Sequence, residues 1–232
     1  MITLKNVSFS YDEKQALSNL SLTIRKNDYL MVLGRNGSGK STFLKLLNGL
    51  LLPMAGDVRV ENLSTRLHGE EIRQKVGMVF QNPDDQLVAS IVREDIAFGL
   101  ENLGVPLDEM QRRIAAILSK MGIAHLSEQN VNTLSYGQKQ LVALCGVLVM
   151  QPSCIVFDEP TTMLDPLNRK NVMDMIIRLH TEGNTIVHAT NDPREARRGA
   201  TAALILDRGR AGFHGHAGKV TPSLLRRFGL NA

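Results

Sequence analysis

The run Gly34-Arg35-Asn36-Gly37-Ser38-Gly39-Lys40-Ser41-Thr42 constrains the fold of this chain more than any other segment. It fits G-x-x-x-x-G-K-[ST]. Ahead of it, Tyr29 to Leu33 is uniformly apolar, the pattern of a strand buried on both faces. Behind it, Phe43 to Asn48 reads as a helix closed by Gly49. Strand, glycine-rich loop and helix in that order make a phosphate-binding loop. The glycines let successive backbone N–H groups point inward, and the helix start adds partial positive charge. Lys40 would reach the β- and γ-phosphates of a nucleotide, and Ser41 would hold Mg²⁺.

The 232 residues are 43% hydrophobic, enough for one large domain with a substantial core. The longest apolar run, Leu141 to Met150, is far too short to cross a bilayer, and Met1 to Ser10 lacks the charged-then-apolar pattern of a targeting segment. The expectation is a soluble or peripheral protein. Cys145 and Cys154 both sit in apolar stretches and read as buried thiols of a reducing compartment. A net charge of +4 could meet nucleic acid or an anionic membrane face, but charge alone favours an ordinary solvated surface.

Ile2 to Tyr11 reads as a strand, and Leu20, Leu22 and Ile24 alternate as a second, half-buried one. Gly56 to Val60 and Val76 to Phe80 are strand-like. From Asp84 to Met150 the pattern turns helical. Arg93 to Leu100 has helical spacing, Met110, Ile114, Ile117, Leu118 and Met121 form one apolar face stopped by Gly122, and Ser135 to Met150 is a further helix. Strand character returns at Ser153 to Phe157. A helix over Leu167 to His180, a strand over Thr185 to Ala189 and a hairpin of Ala203 to Asp207 with Ala211 to His214 follow. A short helix starts at Thr221-Pro222.

Two more segments carry chemistry. Ile155-Val156-Phe157-Asp158-Glu159 sets two acids at the C-terminal end of a buried strand, where ligand sites of parallel sheets lie. There Asp158 would support Mg²⁺, and Glu159 would orient or deprotonate a water attacking the γ-phosphate. Ser135 and Gln138 satisfy the S-x-x-Q capping box, and a capped helix start can also face a phosphate. Tyr11, after the first strand, is an aromatic able to stack on a base. His214 and His216 read as a surface turn rather than a metal site, having no acidic or thiol companion.

Taken together, these motifs resemble the ATP-binding cassette (ABC) ATPases over nearly the whole chain. Gly34 to Thr42 is similar to that family's phosphate loop, and Leu134-Ser135-Tyr136-Gly137-Gln138 to its signature, usually LSGGQ. Gln81 corresponds to the glutamine that joins the metal site to the transport partner. Asp158 and Glu159 correspond to the Mg²⁺-supporting acid and the catalytic base. Met163-Leu164-Asp165-Pro166 corresponds to the loop at the dimer interface, and Tyr11 to the adenine-stacking aromatic. Val79 to Gln86 and Glu94 to Asn102 resemble the energy-coupling-factor branch, whose ATPases energise uptake of vitamins or of cobalt and nickel ions.

The resemblance implies an α/β fold. Its P-loop core and N-terminal antiparallel β subdomain would occupy 1–81 and 151–232, with a helical subdomain inserted at 82–150. It implies ATP and Mg²⁺ as ligands, a second ABC ATPase subunit and integral membrane subunits as partners, no nucleic acid, and a peripheral place on the cytoplasmic face of the membrane. Ser135, Gly137 and Gln138 would then meet ATP held by the opposite subunit, and Asp165 would lie in the dimer loop. Three departures stand out. Tyr136 replaces the first signature glycine and is expected to crowd the partner's nucleotide. Leu141 stands where arginine is common. Asn191 in Thr190-Asn191-Asp192 takes the place of the family's switch histidine, because moving His188 there needs an odd register shift. An amide can donate a hydrogen bond but cannot become cationic, so slow hydrolysis is expected. A regulatory subunit of a heterodimer and a non-transport cassette stay open as alternatives.

Overall fold

The computed structural model describes residues 1–196 and 198–230. Strands β1 (Ile2–Tyr11), β2 (Lys14–Ile24), β4 (Ala55–Val60) and β5 (Leu63–Ser64) form an antiparallel sheet in the order β2-β1-β4-β5. Strands β3 (Tyr29–Leu33), β6 (Val76–Val79), β7 (Cys154–Asp158), β8 (Thr185–Thr190), β9 (Ala202–Asp207) and β10 (Arg210–His216) form the second sheet, in the order β10-β9-β3-β8-β7-β6. The five strands from β9 to β6 run parallel, and only β10 is antiparallel to its neighbour.

The parallel strands are apolar along their length because both of their faces are covered. Alternation divides each between two cores. In β3, Leu30 and Val32 face a core shared with the antiparallel sheet and with helix α1 (Lys40–Leu47). Tyr29, Met31 and Leu33 face the other way. There they pack with helices α5 (Tyr136–Leu148) and α6 (Pro166–Thr181). A one-residue slip of β3 would exchange these sets, so the strand's register is firmly fixed.

Between β6 and β7 the chain is helical, with α3 (Val92–Asn102) and α4 (Leu107–Lys120) preceding α5. The face expected on α4 forms: Met110, Ile114, Ile117, Leu118 and Met121 all join a third core with Val92, Ile96 and Val142. Gly122 follows with φ +70°, a left-handed stop that glycine takes without strain.

Two helices lie outside the sequence expectation. Helix α2 (Gly69–Lys75) buries only Ile72, too little for an apolar period to show; its signal is charge, with Glu70 and Glu71 in the first turn and Arg73 and Lys75 in the last. Helix α7 (Pro193–Ala196) is a single turn. The closing helix α8 (Pro222–Arg227) has Thr221 as cap and proline at its start, as expected. The turn expected at His214 to His216 is corrected: both histidines are exposed on β10, which runs on to His216. No helix among the described residues is long and apolar enough to cross a membrane.

Candidate functional site

Strands β3, β7 and β8 end together, since Val32 and Asp158 both pair with Ala189. Their C-terminal ends carry Gly34, Asp158 with Glu159, and Asn191 respectively. The loop from Gly34 to Gly39 leaves β3 and closes onto the first turn of α1, where Phe43 N–H donates to Gly39 O at 2.9 Å. Gly39 has φ +104° and Gly37 φ +76°, backbone that other residues enter only with strain. Gly34 is constrained by space instead: an added Cβ would sit 2.3 Å from Ser38 Oγ and 2.6 Å from Leu206 O.

Lys40 is buried inside this loop. Its ammonium donates to Gly34 O at 2.9 Å and to Arg35 O at 3.4 Å, and lies 3.0 Å from Glu159 Oε1. Ser41 donates its hydroxyl to Asp158 Oδ1 at 3.0 Å. Burial pushes the Asp158 carboxyl above its ordinary range, while the Ser41 hydroxyl pulls it back. Glu159 leaves the strand with φ +45°, an uncommon conformation for a long side chain and one that clusters at functional sites. Its backbone is held by N–H donation to Ala189 O at 2.9 Å, and its second carboxylate oxygen accepts from Thr162 Oγ1 at 3.1 Å.

Lys40, Ser41, Glu159 and Thr162 line a cleft of about 580 Å³ that also takes in Tyr11, Asn36, Gly37, Gly39, Thr42, Gln81 and Asn191, with Asp158 just behind Ser41. Tyr11 is 47% exposed, held edge-on by Phe9 at 4.9 Å between ring centres, with its hydroxyl accepting from Thr42 at 3.4 Å. Arg35 and Asn36 border a neighbouring cavity of about 830 Å³ together with Arg169, Asp192 and Arg194.

The residues fit a nucleotide and a hard divalent cation. Ser38 Oγ is buried with no hydrogen-bond partner among the described residues, a polar atom left over inside the loop. The hydroxyl of Ser41 and the carboxylate of Asp158 form a pair of oxygen donors, the chemistry Mg²⁺ prefers.

His188 and Asn191 occupy different environments. His188 lies within β8, fully buried, its ring Nδ1 3.1 Å from Tyr29 Oη and its Nε2 3.4 Å from Glu195 Oε2. Burial pulls its pKa down to about 3, so it is neutral. Glu195, whose carboxyl burial pushes up, also accepts from Thr161 Oγ1 at 2.5 Å. Asn191 is exposed at the strand's end and lines the cleft. Cys145 and Cys154 are buried free thiols, both pushed up to about 12 by burial.

The signature segment forms the capping box read from its sequence: Gln138 N–H donates to Ser135 Oγ at 3.3 Å, and Ser135 N–H to Gln138 Oε1 at 2.9 Å. Ser135 is exposed and Gly137 half-exposed, backed by Asn168 at the start of α6. Asp165 caps α6, accepting from the Leu167 and Asn168 N–H groups at 3.0 and 3.1 Å, in a loop whose Met163 and Leu167 are each 67% exposed. None of Ser135, Gly137, Gln138 or Asp165 lines the cleft of Lys40. Sequence reasoning missed Thr162 and Glu195. Thr162, three residues past Glu159, follows an acid pair in a loop and could have been suspected; Glu195 carried no local signal.

A parallel sheet with a phosphate loop and two acids at its carboxyl edge, joined to an antiparallel sheet and a helical segment, is the architecture of a nucleotide-binding cassette. The ABC transporter family model matches residues 17–162, and the chain belongs to that family. An energy-coupling factor transporter ATP-binding protein of Halalkalibacterium halodurans is 47% identical over 212 residues, covering 90% of this chain and 76% of its own. Among solved structures, CbiO1 of Clostridium perfringens, part of the ABC transporter complex CbiONQ, superposes with a TM-score of 0.85. It is 32% identical, with 99% of this chain and 94% of that one covered. A dimeric ATP-binding cassette in a post-hydrolysis state with ADP and Pi gives a TM-score of 0.83 at 28% identity, covering 94% of this chain and 99% of that one. Membership of the family makes this chain an ATP-binding, ATP-hydrolysing cassette.

Proposed function

We propose that this chain is the ATP-binding subunit of a membrane importer, coupling ATP binding and hydrolysis to uptake of a vitamin or a transition-metal ion through a dimer of cassettes. The observation that carries the reading is the packing of Lys40, Ser41, Asp158 and Glu159 around one glycine-bounded loop, with Lys40 and Glu159 at 3.0 Å and Ser41 and Asp158 at 3.0 Å. Relatives bearing energy-coupling-factor names support the importer assignment.

In this reading the loop amides of Gly37 to Lys40 cradle the phosphates, and Lys40 supplies positive charge where negative charge develops. Tyr11 stacks on the base. Ser41, Asp158 and Gln81 hold Mg²⁺, which when bound neutralises charge on the phosphate oxygens. Glu159 takes up a proton from the attacking water or orients it, and Asn191 offers a hydrogen bond from its amide. Ser135, Gly137 and Gln138 stand outside the cleft of their own chain, which suits contact with nucleotide on an opposite copy, with Asp165 in the loop between copies. The helical segment at 82–150 carries the closing motion to membrane subunits, and the chain sits peripherally on the cytoplasmic face. Turnover is slow, because an amide at 191 cannot supply the cationic donor a histidine would.

The test is steady-state Mg-ATPase of the purified chain, followed by native mass measurement of the complex it forms in its own membranes. ATP turnover that disappears in Lys40→Ala, and a complex of two ATPase copies with integral membrane subunits, support the proposal. Equal ATP binding in the wild type and Lys40→Ala would sink it. A complex with two different ATPase chains would identify this one as half of a heterodimer.

A further inference from the structure

The signature helix of this chain is fastened to the segment around Gln81, and the fastening starts from the residue that departs from the signature. Tyr136 donates its hydroxyl to the backbone carbonyl of Gln81 at 2.8 Å. Its ring is half-buried, packed against the core that includes Leu144 and Leu164 rather than projecting free from the helix start. One turn further on, Lys139 pairs with Asp84 at 2.6 Å. Beyond it, Gln86 closes the segment, donating its side-chain N–H to Ala143 O at 3.1 Å while its Oε1 accepts from Phe80 N–H at 3.0 Å. Positions 136, 139 and 143 lie on one face of α5, and all three meet the stretch from Phe80 to Gln86. Glycine at 136 could make neither the ring contact nor the hydrogen bond.

We propose that Tyr136 is a positioning residue, whose hydroxyl clasps the start of the signature helix to the Gln81 segment so that the two move as one body during the nucleotide cycle. Resting on the reading of this chain as an ATPase cassette, the inference adds a coupling device absent where glycine holds this position. Tyr136 and Lys139 lie outside the chain's own cleft, while Gln81, whose backbone the clasp holds, lines it. Carbonyl capture at Gln81 fixes the backbone beneath that side chain. A displacement of Gln81 is thereby transmitted to Ser135 and Gly137 through the Tyr136 side chain.

The test compares the wild type with Tyr136→Phe, which keeps the ring and loses only the hydroxyl, and with Tyr136→Gly. Three quantities are read on the full chain: binding of a fluorescent ATP analogue, kcat and KM for Mg-ATP, and hydrogen exchange of peptides spanning 80–87 and 134–141 with and without Mg-ATP. In Tyr136→Phe, analogue affinity and KM stay at wild-type values and the melting temperature drops by a few degrees at most, while kcat falls by about 3- to 10-fold, the scale of one hydrogen bond. Exchange over 80–87 speeds up and no longer changes in step with 134–141. Tyr136→Gly, which also loses the packed ring, lowers kcat further and the melting temperature with it. Unchanged kcat and exchange in Tyr136→Phe would overturn the clasp, as would a fall in kcat matched by an equal loss of nucleotide affinity and by faster exchange across the whole chain rather than over 80–87, the mark of a purely structural role. A wild-type chain that neither bound nor hydrolysed Mg-ATP would instead overturn the underlying ATPase reading.

Discussion

The two regions proposed to meet nucleotide are built by opposite means. The cleft around Lys40 is set by long-range structure: β3, β7 and β8 hold its parts in register, Lys40 and Glu159 are at most 10% exposed, and a glycine that cannot carry a Cβ seals the loop. The signature start is set locally. Ser135 and Gln138 cap each other, Asp165 caps its own helix, and both segments are exposed. A buried site held in register keeps its groups together, whereas a capped, exposed helix start stays available to something that arrives from outside. The difference suits the chemistry proposed for the first region and the contact between copies proposed for the second.

Mutations in the cleft around Lys40 should cut deepest. Glu159→Gln should lower turnover by about 10²- to 10⁴-fold, the range of a general base, while nucleotide binding persists in filter or fluorescence assays. Asn191→His should act in reverse, raising kcat by about 10-fold or more if a cationic donor is what the cleft lacks; a wild type already fast and unimproved by the change would remove the argument for slow turnover. Tyr11→Ala should weaken nucleotide affinity by about 5-fold or more through lost stacking, with kcat at saturation little changed, as a titration against ATP would reveal. The exposed region should respond least to single changes. Ser135→Ala loses a cap worth about 1 kcal/mol and should lower the melting temperature by a few degrees, measurable by calorimetry.

A pH series sharpens the contrast from the buried side. His188 has its pKa lowered from 6.5 to about 3, so the unfolded chain binds a proton before the folded one does. Its contribution is complete above pH 6.5 and declines as pH falls toward 3. Glu195, with its carboxyl raised by burial, works in the opposite sense, favouring the fold where it stays protonated. Chemical denaturation between pH 7 and 4 should show a loss of stability on acidification that is shallower in His188→Gln. An equal slope in the variant would assign the loss to other groups.

Much of the buried region was legible in the sequence because its constraints are written locally. β3 and β7 are unbroken apolar runs, and the loop and the acid pair follow them directly. The capping box and the apolar face of α4 were equally readable. What escaped depends on distant partners. Nothing near Tyr136 signals a hydrogen bond to a carbonyl 55 residues away. His188 and Glu195 meet across a strand end and a one-turn helix too short to leave a period. Helix α2 hid because one buried isoleucine cannot make a stripe.

The three donors of the Lys40 ammonium are already occupied, two by loop carbonyls and one by Glu159. An incoming anion that claims this lysine must therefore compete with an internal carboxylate, and winning sets that carboxylate loose beside the newcomer. For Glu159 in the role of base proposed above, occupancy and arming would be a single event: the anion that takes Lys40 frees the carboxylate that is to act on it.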